Sequence, residues 1–186
     1  SSDCYFDNGN ERNFATTQFR FSDFKSSKKD GDFNGDFTIT NLNKYYLNAE
    51  IFSSWELSEL NNFIEDSPFK NLKGTVSGFI NYYGNLSFDS EMSGYFANST
   101  HTADLNFKDV YFNYKESELD FVFGKMNWKV DNHNVKISEN KFIVSQSELS
   151  FDGNIDNLIL YILNEEEKID INGKLASDKM IFEELF

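Results

Sequence analysis

From Leu119 to Val130 the chain sets an apolar side chain on one side at nearly every second position. Leu119, Phe121 and Phe123 are followed, past Gly124, by Met126, Trp128 and Val130, while Asp120, Lys125, Asn127 and Lys129 take the other side with Val122 as the exception. A two-residue period of this kind is the mark of a β-strand with one dry and one wet face. Shorter runs of the same pattern occur at Phe19–Phe21, Phe33–Ile39, Leu105–Phe107, Phe112–Tyr114, Val135–Ile137, Phe142–Val144, Leu149–Ile155 and Ile169–Leu175. About ten to twelve strands are therefore expected, joined by short turns at Asp30-Gly31, Tyr83-Gly84-Asn85 and Val130-Asp131-Asn132-His133. Only brief helices compete. Ser53 with Glu56 fits a capping box ahead of Leu57, Leu60 and Ile64, and Asn41 and Asp156 suit as N-caps for Leu42-Tyr45-Tyr46 and Leu158-Tyr161-Ile162. Strands that are polar on one face, with so few helices, exclude a parallel sheet wrapped in helices. The predicted class is mainly β: an elongated antiparallel meander with a few short helices.

Composition sharpens this. With 21 Phe, 9 Tyr and 2 Trp the chain is 17% aromatic, yet its mean hydropathy is −0.55, so large rings and polar residues are interleaved and disorder is disfavoured. A net charge of −14 repels nucleic-acid phosphates, so no nucleic-acid partner is expected. The single cysteine, Cys4, cannot form an internal disulfide, and with His101 and His133 it falls short of a zinc-ligand set. No stretch of about 18 apolar residues is present for a spanning helix. One proline, Pro68, and no Gly/Ser tract leave no internal boundary, so residues 1–186 are taken as a single β-rich segment of a larger protein.

Within it lies a candidate internal duplication, about 30–64 and 148–186. Phe33-Asn-Gly35-Asp-Phe37 and Phe151-Asp-Gly153-Asn-Ile155 are each followed by Asn-Leu-x-x-Tyr-x-Leu, at Asn41 to Leu47 and Asn157 to Leu163. The series Gly74-Thr-Val76-Ser-Gly78-Phe-Ile80, Ala103-Asp-Leu105-Asn-Phe107 through Phe112, and Ser147 through Tyr161 resembles the C-terminal region of the AsmA-like, TamB-related proteins of the double-membrane bacterial envelope. The resemblance covers most of residues 30 to 186. It implies a sheet curled into an apolar groove that handles phospholipid acyl chains between inner and outer membranes and serves outer-membrane biogenesis. It further implies a periplasmic location, an inner-membrane anchor outside this chain, and envelope membrane proteins as partners.

An aromatic sheet face must be covered by a second sheet, by helices or by a ligand, because burying one Phe side chain is worth roughly 1.5–3 kcal/mol. Too few helices are available, which leaves a groove that shelters acyl chains or a secreted or surface β-sandwich binding carbohydrate or protein. On the groove reading, Leu119, Phe121, Phe123, Met126, Trp128 and Val130 are the lipid-binding residues. An outer-membrane barrel is disfavoured because Glu183 and Glu184 break the terminal strand before Phe186. A sheet with two open edges is expected to associate. No catalytic set stands out: both histidines fall in polar stretches read as exposed loops, carboxylate pairs such as Asp30 with Asp32 or Glu165 to Glu167 are what any acidic chain supplies and read as solvated charge, and Asp30 to Asp36 lacks the twelve-residue spacing of a calcium loop. Neither an enzyme nor any cofactor is implied.

Overall fold

The computed structural model describes residues 1–28, 31–62, 69–86, 92–114, 119–163 and 168–181. Asp30, Ile64, Pro68, Glu165–Glu167 and Glu183 to Phe186 lie outside the described residues. Ten strands form one antiparallel sheet in strict chain order. They are β1 (Asp3–Asp7), β2 (Gln18–Lys28), β3 (Gly31–Thr40), β4 (Tyr46–Glu56), β5 (Phe69–Asn85), β6 (Thr100–Tyr114), β7 (Asp120–Asp131), β8 (Asn134–Val144), β9 (Ser147–Asp156) and β10 (Asp170–Lys179). The expected meander is what forms, and it is one sheet, so the two facing sheets of a β-sandwich are not the architecture of the described residues. Among the described residues helical structure is limited to a 3₁₀ turn at Leu57–Asn62, α1 (Met92–Ala97) and α2 (Leu158–Leu163).

Three local expectations are corrected. Residues Tyr83-Gly84-Asn85 continue β5 and pair with β4, because Gly84 stands directly opposite Leu47 in the ladder. Ser53 is not a helix cap: it lies inside β4, and its hydroxyl donates to the Asp32 carbonyl across the sheet. Asn41 starts no helix either. It adopts a left-handed backbone (φ 55°) and turns the chain from β3 into β4, its N–H donating to the Thr17 carbonyl. Asn132 and Asn157 turn β7 and β9 in the same way, at φ 51° and 61°, with their N–H groups on the carbonyls of His101 and His133. Asparagine tolerates this region better than other non-glycine residues, so the recurring Asn is a strand-end turn signal.

The apolar side chains fall on one face only after a correction to the simple period of two. On β7 the inward set moves from odd positions (Phe121, Phe123) to even ones (Met126, Trp128, Val130), and on β6 from Leu105 and Phe107 to Val110 and Phe112. The two switches are level, since Phe107 stands opposite Met126 and Val110 opposite Phe123. At the switch Asp109 has φ 52°, and neither Asp109 nor Gly124 takes part in the ladder. On β8 the same step runs from Ile137 to Asn140 and ends as a register shift against β9. Elsewhere Asp23 in β2 (φ 49°) separates Phe21 from Phe24, and Gly74 in β5 (φ 104°) separates Val76 from Leu72. Irregularities of this type bend a strand and tighten its twist, and here they lie side by side in neighbouring strands, curling the sheet about its apolar face.

Gly74 and Gly124 play unequal parts in this. A Cβ on Gly74 would come within 2.7 Å of the Asp109 carbonyl oxygen in a backbone region disfavoured for other residues, whereas a Cβ on Gly124 meets nothing within 4 Å. Gly74→Ala is expected to cost about 2–3 kcal/mol and Gly124→Ala to stay within about 0.5 kcal/mol of wild type in urea melts. Equal losses would contradict the assigned kink.

Candidate functional site

The concave face of the curled sheet encloses a cavity of about 710 Å³, inside the range of roughly 300–1,000 Å³ usual for ligand sites. Its wall runs from Trp55 on β4 through Val76, Phe107, Met126 and Phe142 to Leu175 on β10, so strands six places apart in the sheet face the same space. None of the described lining residues is charged. The alternation explains this directly, because a charge on that face would have to be desolvated, while every second residue is free to carry one outward.

Two aliphatic clusters anchor the wall. Leu57, Leu72 and Val110 are buried together with Phe69, Phe107, Phe112 and Phe123 packed around them, and Val130, Val135 and Ile137 form the second with Trp128, Phe151, Leu158 and Ile159. Every buried apolar residue described is aliphatic: no Phe, Tyr or Trp is among them. The rings lie half-exposed along the concave face and shield each other, Phe112 stacked on Phe121 at 5.0 Å, Phe123 stacked on Phe142 at 5.1 Å and Phe107 tilted against Trp128 at 4.6 Å. A closed core would have buried such rings first.

Of the residues expected from sequence to line the groove, Phe123, Met126 and Trp128 border the cavity. Phe121 joins the same face through its stack on Phe112, and Val130 lies beneath it, 5% exposed, in the second cluster. Leu119 is half-buried just ahead of β7 and does not border the cavity. Sequence reasoning did not single out Trp55, Asn140, Phe142, Ile171 or Leu175, which complete the lining. The alternation placed most of these on strands, but only the curl of the sheet brings β4 and β10 to one cavity.

In the helix expected over Leu158-Tyr161-Ile162 these three residues share one side, which leaves Ile159 and Leu160 on others. Instead Leu158 and Ile159 both pack on the Val130 cluster, Leu160 is 7% exposed, and Ile162 borders the cavity. The helix is wedged between the sheet and α1, with which it is in contact, so no side of it is free. Tyr161 is joined to Tyr114 on β6 by a 2.9 Å hydroxyl contact.

His101 is also corrected. It is not in an exposed loop but lies on the concave face of β6, 5% exposed, with the Phe96 ring of α1 at 4.0 Å and the His133 ring at 6.0 Å. Ser99 Oγ donates to the Phe96 carbonyl at 2.7 Å, which leaves its lone pairs to accept from His101 Nδ1–H at 2.9 Å. That assignment makes Nε2 a bare acceptor, and it has no partner. The arrangement holds no nucleophile activated by the histidine, because the imidazole donates to the serine.

Burial pushes the His101 pKa below its ordinary value, with the nearby His133 adding to the effect and the Asn132 contact and Asp131 opposing it. A lowered folded-state value means that the unfolded chain takes up the proton first. Stability is then complete above the unfolded value near 6.5 and is lost as pH falls below it. The wild-type urea midpoint should therefore fall more steeply between about pH 7.5 and 5.5 than that of His101→Gln. Parallel profiles would remove His101 as the cause.

No protein-family model, no curated protein and no solved structure matches this chain. Among the described residues no helix is long and apolar enough to cross a membrane.

Proposed function

We propose that this chain is a non-enzymatic lipid-handling segment whose groove holds phospholipid acyl chains. One observation carries the reading: a continuous aromatic face stays half-exposed around a cavity whose described lining residues carry no charge. Exposed apolar area of that extent marks a binding surface, and each methylene moved from water into it contributes about 0.8 kcal/mol before the costs of association. The lack of charge among the described lining residues suits hydrocarbon and leaves the phosphate headgroup at the groove mouth, in water. The resemblance of its strand motifs to AsmA-like proteins supports reading it as a periplasmic segment that moves phospholipid between inner and outer membranes, with membrane proteins at either side. That likeness rests on the Gly-, Leu- and Phe-containing strand motifs alone.

The outer face supplies the control. Phe79 is 66% exposed there and packs only edge-on against Phe52, at 5.1 Å, from the neighbouring strand. After incubation with phosphatidylcholine and phosphatidylethanolamine vesicles, native mass spectrometry of wild-type protein should show bound phospholipid. Phe123→Asp and Met126→Asp should lower that occupancy at least about ten-fold, since a carboxylate would have to be desolvated beside the chain. Phe79→Asp should keep it. Wild-type protein that takes up no lipid, or groove variants that stay folded and fully loaded, would overturn the reading.

A further inference from the structure

The groove wall stops at the outer edge of β10. Among the described residues β10 is the last strand of the sheet and pairs with β9 alone, and all ten of its residues are exposed. Ile171 and Leu175 line the cavity yet are each 56% exposed, so the wall stands uncovered along this flank. An unpaired strand edge presents a row of free N–H and C=O groups to any chain that matches it.

The opposite edge of the sheet is guarded. β1 is five residues long and begins and ends in Asp3 and Asp7, with no basic residue between them. Pairing β1 with its own copy about Tyr5 would set Asp3 against Asp7 at both ends. By contrast, Lys168 to Lys179 holds three lysines, Lys168, Lys174 and Lys179, against Asp170 and Asp178, so this edge carries no acidic excess on a chain of net charge −14. The inward positions of β10 are Ile171, Gly173 and Leu175, and none of them bears a charge that would block a neighbouring strand.

We propose that two copies of this chain pair edge to edge through β10, antiparallel about a two-fold axis at Gly173, and so join two grooves into one trough. Registers that keep both apolar faces on the same side pair odd positions with odd and even with even. About Gly173, Ile171 of each copy stands opposite Leu175 of the other, Asn172 opposite Lys174 and Asp170 opposite Ala176, while Lys168 comes beside Asp178. No like charges meet, and the two apolar pairs cover the open flank. Centring the axis on Lys174 instead would oppose Lys174 to itself and Asp170 to Asp178. Centring it on Asn172 would leave Ile171 facing the bare Gly173 and move Leu175 opposite Ile169, which lies ahead of β10. The pairing concerns the strand edge and is independent of what the groove holds.

Sedimentation velocity in about 0.5 M NaCl, where repulsion between acidic chains is screened over a few ångströms, should give monomer at about 1 μM and dimer at about 300 μM, because one strand pair buries less than the roughly 1,200 Å² of a tight interface. Ile171→Lys charges an exposed inward position and should weaken the dimer at least about ten-fold. Phe6→Lys does the same on β1 and should leave the dimer unchanged. Cys4 is exposed and free, so cross-linking is done in a Cys4→Ser background. A mixture of Ile171→Cys and Leu175→Cys chains should then be joined by a short bismaleimide, whereas either variant alone should not, because its two cysteines lie four residues apart along the ladder, roughly 13 Å.

Monomer at every concentration, masses that climb past the dimer, or a dimer lost in Phe6→Lys and kept in Ile171→Lys would each overturn the inference. Cross-linking of either variant alone, or none in the mixture, would overturn the pairing about Gly173. The concentration series uses wild-type protein and the cross-links use exposed positions, so the outcome does not depend on Ile171→Lys folding.

Discussion

Every other feature of this molecule depends on the imbalance between its apolar face and what the chain supplies to cover that face. A sheet ten strands wide presents a long row of rings on one side, and α1 and α2 are six residues each. Two such helices cover part of two strands. The sheet answers by curling, so that β4 and β10 share a cavity, and by stacking ring on ring along the face. Stacked aromatic pairs contribute about 0.5–1.5 kcal/mol each beyond the area they bury, which stabilises the face without closing it. Aliphatic residues at the base take the fully buried places, as Val135 does at 0% exposure.

Curling needs backbone irregularity, and the irregularities must agree between neighbours. A single extra residue in one strand would turn its remaining side chains to the wrong face. In β6 and β7 the step is taken by both strands at the same level, so the ladder on either side keeps one register and the apolar face continues past it. At its two flanks, between β5 and β6 and between β8 and β9, the step is absorbed as a register shift. The kink is therefore a property of three strands together, and it sets Asn140, polar and buried, in the groove wall.

Much of the fold was legible in the alternation, because a strand with one dry face leaves a period that neither helix nor loop imitates. The strand order followed too, since short turns allow only neighbouring antiparallel pairs. Most of the proposed lipid-contacting residues on β7 came from the same signal, and Phe123, Met126 and Trp128 do border the cavity. What failed was local. Asn41 had the sequence of a helix cap, but its left-handed backbone serves a strand turn, and both uses of asparagine rest on the same side-chain chemistry. His101 was assigned to a loop from its polar neighbours, whereas pairing with Tyr82 turns it inward beneath α1. The joining of β4 to β10 across one cavity was not legible at all, because curvature accumulates over strands and no single segment encodes it.

The alternation also sorts charge, which bears on how such a sheet stays in solution while its apolar face is open. With a net charge of −14 and no charge among the described residues lining the cavity, repulsion acts chiefly between outer faces. Two molecules approaching back to back are held apart, and approach through the groove mouth must bring acidic outer surfaces along. Charge of one sign on an open sheet costs stability through self-repulsion, but that cost falls on solvated residues, where salt screens it over about 8–10 Å. The apolar face is not screened in this way. Its exposure is relieved only by an occupant, so whatever fills the groove contributes to the stability of the folded chain through its own binding free energy.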